Sequence, residues 1–389
     1  MTLFVVLSFL FLTTTKISQV VCQDKENSID ISLNVSQIIR ESGFTEETHD
    51  VVTDDGYKLR MYRIVGSGEP VFVMHGLLCS SDDWITPQKE RALALVLAAE
   101  GYDVWLGNAR GNVHSRRHTT LSPEGKEFWD FSWDEIGRYD LPAMIDYVLD
   151  ATNRAQLSYI GHSQGTTSFF VMGSERPEYN DKIKKMIALS IVAWSSRVTS
   201  PPVRLYAPIS QLTEPFGITE VFARHQLLTT TLTNFGCNTP TSATLVCNNL
   251  IFLIGGFDSG QINSTYLPLI YQHFPAGAAY KQILHYMQLV NSGHFRPYDY
   301  GLIANLGKYF AAKPPDYSVD KVTAPVYVFH GENDWLSTLA DVKIMINKIS
   351  NFKELYTVPW KTFNHMDYLY ANDAKTLVHD KILSILRSD

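Results

Sequence analysis

Gly161-His162-Ser163-Gln164-Gly165 sets a single serine between two glycines. The residues before it, Leu157-Ser158-Tyr159-Ile160, read as a short strand. The residues after it, "TTSFFVMGSERP", read as a helix that ends before Pro177. A strand handing over to a helix through Gly-x-Ser-x-Gly has a specific chemical use. The tight turn strains the serine backbone, glycines relieve the crowding, and the hydroxyl projects at the carboxyl edge of a sheet. The start of the helix then aims N–H groups and a positive dipole end at the same point. The chemistry this suits is attack of Ser163 Oγ on a carbonyl carbon.

A serine hydroxyl needs a base. In this architecture an acid and then a histidine follow the serine along the chain. "VYVFHGENDW" reads as a strand followed by an acidic turn, which offers Glu332 and Asp334. "VPWKTFNHMDY" follows the next strand and offers His365. His365 would take the Ser163 proton and return it to a leaving alcohol, while the acid fixes the histidine tautomer. Spacing alone leaves Glu332 and Asp334 both open. His294 and His379 lack this strand context. Acyl transfer also needs donors for an oxyanion: the Gln164 N–H is one, and Leu77, in the "MHGLLCSSDDW" loop after "VFV", supplies the other.

These residues need a frame that delivers several strand ends to one edge. Apolar strand-like runs occur in "EPVFVMHG", "GYDVWLGNARG", "AQLSYIGHS", "KKMIALSIVAW", "APVYVFHGEND" and "KELYTVP". Between them lie helical patterns such as "ERALALVLAAEG" and "YDLPAMIDYVLDAT", with apolar residues three and four apart. The alternation predicts an α/β fold, a mostly parallel central sheet with helices on both faces. It breaks between residues 195 and 318, which read as an insertion between a first core part, 23–194, and a second, 319–389. Within the insertion "NNLIFLIGGF" is strongly apolar.

Charge and cysteines narrow the setting. The 389 residues carry a formal net charge of -7, which argues against nucleic acid as a partner. Residues 1–22 open with an apolar run, Leu3 to Leu12, too short to span a bilayer, and read as a signal peptide. No later run approaches the length of a transmembrane helix, so a soluble mature chain that enters the secretory pathway is expected. Of the cysteines at 22, 79, 237 and 247, Cys237 and Cys247 bracket a loop short enough to close as a disulfide, which leaves Cys79 as a buried odd thiol. Asn34 and Asn263 head glycosylation sequons. The cysteine spacing fits no zinc pattern; no metal and no cofactor are expected.

Taken together, "VVTDDGYKLRMYRI", "HGLLCSSDDW", "DVWLGNARGNVHSRRH", "FWDFSWDEIGRYDLPAMIDYVL", "GHSQG", "FPAGAAYKQILHYMQLVNSGHFRPYDYG", "GENDWLSTLADV" and "FNHMDYLYANDA" resemble the acid lipase family of gastric and lysosomal lipases, within the α/β-hydrolases. The resemblance runs from about Asn34 to the C-terminus. It implies the α/β-hydrolase fold with an inserted cap and lid, the lid around Arg224 to Phe257. It implies Ser163 as nucleophile, Asp334 rather than Glu332 as acid, His365 as base, and Leu77 and Gln164 as oxyanion donors. Cys237 and Cys247 fall where the family carries its disulfide. The substrates implied are neutral lipid esters, triacylglycerols or sterol esters, met at an oil–water or membrane surface by a secreted or lysosomal protein; protein partners are left unassigned. "DWLSTLADV" lacks the proline usual in the family after the acid.

Overall fold

The computed structural model describes residues 33–87, 89–223, 248–263 and 266–388. The expected signal peptide and both Cys237 and Cys247 lie outside them. The central sheet runs in the order β1-β2-β4-β3-β6-β7-β10-β11, with β5 added to β2. The strands are β1 Glu46–Val52, β2 Tyr57–Ile64, β3 Pro70–Met74, β4 Asp103–Leu106, β5 Arg117–His118, β6 Leu157–His162, β7 Ile183–Leu189, β10 Val326–His330 and β11 Phe352–Thr357. β1, β2 and β5 pair antiparallel at one end, and the strands from β4 to β11 pair in parallel. The mostly parallel α/β sheet expected from the alternation is therefore present.

The inner strands are buried on both faces, which explains why they read as unbroken apolar runs. In β3, Phe72 and Met74 enter one core cluster while Val71 and Val73 enter the other, the period of two that a pleated strand imposes. Helices cover both sides. α1 (Val35–Glu41) and α2 (Leu93–Ala99) belong to the cluster of Val71 and Val73. α3 (Leu141–Thr152) and α4 (Gln164–Glu175) belong to that of Phe72 and Met74. The outer strand β1, "EETHDVV", is polar and half exposed, as suits an edge that must not recruit another strand.

Strand order places the site. β3 lies between β4 and β6, so the chain leaves β3 to one side and later returns on the other. The loops after β3 and β6 thus diverge at a topological switch point, the crevice where α/β sheets bind ligands. Between β7 and β10 no described residue joins this sheet. That segment instead forms helices α5 (Pro201–Tyr206), α6 (Asn248–Gly255), α7 (Leu267–His273), α8 (Tyr280–Ser292) and α9 (Leu302–Tyr309). It also forms a two-stranded ribbon of β8 (Glu220–Val221) and β9 (Ala278–Ala279).

Candidate active site

Ser163 stands between β6 and α4 with φ 51 and ψ -116. A non-glycine residue at positive φ is strained, and such strain persists only where the surroundings enforce it. Here the turn is pressed against β3: a Cβ on Gly165 would come within 2.4 Å of the Met74 carbonyl oxygen. Glycine is therefore required at the second residue of the helix, and the elbow closes onto the neighbouring strand. Ser163 occupies the N-cap position of α4, where a serine ordinarily accepts from the helix N–H groups. It makes no such cap bond. Its Oγ lies 2.9 Å from His365 Nε2 instead.

The chain continues through the ring. His365 Nδ1 is 3.0 and 3.1 Å from the two carboxylate oxygens of Asp334. Asp334 Oδ1 also accepts the N–H groups of Leu336 at 3.0 Å and Ser337 at 2.9 Å. All three side chains are buried, Ser163 9%, His365 4% and Asp334 3% exposed. Burial by itself would raise the Asp334 pKa. The His365 ring, the Ser190 hydroxyl and the Ser337 N–H outweigh it and hold the carboxyl below its ordinary value. Glu332 lies two residues before Asp334 and makes none of the described hydrogen bonds to His365; the turn presents Asp334.

The loop after β3 lies directly over the serine, since a Cβ on Gly76 would be 3.1 Å from Ser163 Cβ. His75 fixes that loop. Its Nδ1 bonds the Gly76 carbonyl at 2.8 Å and its Nε2 accepts the Ala109 N–H at 3.0 Å. Burial pushes the His75 pKa down to about 4, so the ring stays neutral with its proton on Nδ1. Leu78 is also at positive φ, 64. Among the described hydrogen bonds neither the Leu77 nor the Gln164 N–H has an acceptor. The adjoining residues Ser163 and Leu78 are held through their carbonyls, which accept the Thr166 and Ala276 N–H groups.

The chain matches two family descriptions, a partial α/β-hydrolase lipase region at residues 35–88 and the α/β hydrolase fold at residues 69–230. It is 41% identical to Lipase 1 of Drosophila melanogaster over 94% of this chain and 82% of that protein. It is 37% identical to human gastric triacylglycerol lipase, over 93% of both chains. Human lysosomal acid lipase/cholesteryl ester hydrolase is 36% identical, over 92% of both. Among solved structures, a putative lipase from Sulfolobus solfataricus superposes with a TM-score of 0.60 at 15% identity, over 88% of this chain and 93% of that one; this likeness bears on the fold alone. The chain belongs to the acid lipase family of the α/β-hydrolases. It is a carboxylic ester hydrolase, a lipase.

Two features of this lipase's site escape a reading of the sequence. The first is Ser190, the residue after β7, whose Oγ donates to Asp334 Oδ2 at 2.5 Å and lies 2.8 Å from His365 Nδ1. The second is a clasp at the end of α6. The Gly255 carbonyl accepts the N–H groups of both Trp335 and His365. The Gly256 carbonyl accepts from the Asn364 side chain at 3.1 Å, and the Phe257 carbonyl from Asn333 at 2.8 Å. Three consecutive carbonyls thus hold the Asp334 and His365 loops together. "NNLIFLIGGF" is neither a plain core helix nor a wholly exposed one: Phe252 is buried, while Leu253, Ile254 and Phe257 are exposed.

His162 supports the base from below, its Nε2 donating to the His365 carbonyl at 2.8 Å. Burial, reinforced by the neighbouring His365 ring, pushes its pKa down to about 3. Asn34 is exposed and caps α1, accepting the Gln37 N–H at 3.1 Å; Asn263 is partly buried. Cys79 is a buried free thiol, as expected. No described helix is long and apolar enough to cross a membrane.

Proposed function

We propose that this lipase hydrolyses neutral lipid esters through an acyl-enzyme on Ser163. The observation that carries the reading is the unbroken hydrogen-bonded line from Ser163 Oγ through His365 to Asp334, at the sheet's switch point. Ser163 Oγ attacks the ester carbonyl while His365 Nε2 takes its proton. Asp334, ionised and held by the Leu336 and Ser337 N–H groups, keeps the other ring proton on Nδ1 and stabilises the imidazolium. The Leu77 and Gln164 N–H groups receive the oxyanion of the tetrahedral intermediate. His365 then protonates the departing alcohol, and water, deprotonated by the same ring, releases the fatty acid.

The substrate class is supported by the names of the relatives, a gastric triacylglycerol lipase and a lysosomal cholesteryl ester hydrolase. It is supported also by exposed apolar side chains near the site, Leu253, Ile254 and Phe257 among them, which suit an oil–water or membrane surface. Residues 195–318 serve as a cap over the sheet domain. The protein enters the secretory pathway by residues 1–22 and works outside the cell or in the lysosome. Asn34 and Asn263 carry glycans, and Cys237 pairs with Cys247.

The test is fatty acid release from an emulsified long-chain triacylglycerol and from a soluble short-chain ester, by the protein and by Ser163→Ala. Release from the emulsion, lost by about 10³-fold or more in the variant, is the expected result. Release from the soluble ester alone would make the protein a carboxylesterase or an acyltransferase. Full activity of Ser163→Ala would remove the acyl-enzyme mechanism.

A further inference from the structure

We propose that Ser190 is a positioning residue for the reaction: its hydroxyl clamps the Asp334 carboxylate and the His365 ring in the one arrangement that leaves Nε2 facing Ser163. The inference rests on the reading that Ser163, His365 and Asp334 carry out ester hydrolysis.

The backbone is the first ground. Ser190 sits at φ 57, immediately beyond the last residue of β7. Glycine is the residue that accepts such a conformation without steric cost. A serine held there, at the carboxyl edge of a buried sheet, marks a place where the side chain is needed despite the strain. The position is fixed from two sides. The Ser190 N–H donates to the Phe329 carbonyl at the end of β10, and the Ser163 N–H donates to the adjoining Leu189 carbonyl. One short stretch of backbone therefore sets both the serine elbow and the Ser190 hydroxyl.

The hydrogen bonds are the second ground. Asp334 Oδ1 is held by two backbone N–H groups, of Leu336 and Ser337. Among the described residues, Oδ2 receives only the Ser190 hydroxyl, at 2.5 Å, and the His365 ring, at 3.1 Å. Ser190 is thus the one donor, among the described residues, that fixes Oδ2 apart from the histidine it must orient. A hydroxyl has one proton and two lone pairs. With the proton given to Asp334, the oxygen turns a lone pair to His365 Nδ1, 2.8 Å away. Asp334 and Ser190 together surround Nδ1 with acceptors. That keeps the ring proton on Nδ1, so the Nε2 lone pair remains directed at Ser163 Oγ. Deletion of the hydroxyl leaves Oδ2 under-bonded and lets the carboxylate and ring rotate against each other, which weakens proton transfer without touching the substrate pocket.

Ser190→Gly is the decisive variant, because it removes the hydroxyl while suiting the positive φ. Its thermal unfolding midpoint should equal or exceed that of the parent, kcat on a soluble short-chain ester should fall about tenfold, which corresponds to about 1.4 kcal/mol, and KM should stay the same. Ser190→Ala, which also lacks the hydroxyl, should show the same loss of kcat. Ser163→Ala is assayed beside them. If Ser163→Ala is inactive and Ser190→Gly and Ser190→Ala keep the parent kcat, the role of Ser190 is overturned while the serine mechanism stands. A loss that tracks a raised KM or a lowered midpoint in both variants overturns it too, as a packing effect. Undiminished activity of Ser163→Ala overturns both readings together.

Discussion

The sheet and the segment between β7 and β10 treat the same kind of side chain in opposite ways. In the sheet and its flanking helices the large apolar residues are enclosed: Phe72, Trp105, Phe169 and Phe170 are fully buried. Of the sixteen exposed large hydrophobic side chains described, thirteen lie between residues 195 and 318. Leu205, Ile209, Leu212 and Phe216 recur four, three and four residues apart, and Leu205, Leu212 and Phe216 are 72 to 76% exposed. An apolar stripe at helical spacing normally faces a core. Here it faces outward. The contrast separates two tasks: the sheet holds three polar side chains to within hydrogen-bond distance of one another, and the segment between β7 and β10 presents apolar side chains to solvent. The two regions meet at the site itself, where Gly255, Gly256 and Phe257 clasp the Asp334 and His365 loops, and where His273 of α7 bonds Asp82, behind the Leu77 loop, at 2.6 Å.

The contrast breaks if deletion of a phenylalanine ring has the same effect in both regions. Phe170→Ala should cost about 3 to 5 kcal/mol of folding stability, because it empties a close-packed site, as read from denaturant unfolding. The next largest effect is expected at the junction. Gly256 has φ 120, and a Cβ there would meet the Asn333 carbonyl oxygen at 2.1 Å. Gly256→Val should therefore push the Asp334 loop off its clasp and lower kcat on both soluble and emulsified esters by about 100-fold, the cost of misplacing a reacting group by about 1 Å. Unchanged kcat in that variant would show that the two regions are not coupled. The smallest effect on the fold belongs to Phe216→Ala, with stability within about 0.5 kcal/mol of the parent. Activity on the emulsion should drop several-fold while the soluble ester is turned over as before. Equal losses on both substrates would mean that the exposed stripe is not a lipid-facing surface.

The same contrast separates what was legible in the sequence from what was not. Gly161 to Gly165 announced the elbow because a strand, a tight turn and a helix must appear in immediate succession, all within one short window. Asp334 and His365 were legible as places, the ends of two late strands, but spacing alone left Glu332 beside Asp334; the family resemblance chose between them, and the turn places Asp334 on the ring. Ser190 was not legible. "KKMIALSIVAW" reads as one strand, yet β7 ends at Leu189. The positive φ that turns Ser190 toward Asp334 is set by β10, far along the chain. The Gly255 to Phe257 clasp was hidden for a similar reason, since backbone carbonyls carry no sequence signature. The polar strand β1 lacks the apolar run that marks the inner strands, and it takes its register from β2 alone.

The central claim is that Ser163 forms the covalent bond to the acyl group. The most direct measurement is mass spectrometry of the protein after reaction with an activated phosphonate ester, with residual lipase activity followed in parallel. The account predicts one adduct per chain, on the peptide that contains Ser163, with activity lost in step with labelling and no adduct in Ser163→Ala or His365→Ala. Labelling at another serine, or full activity in a chain whose Ser163 is modified, would contradict it.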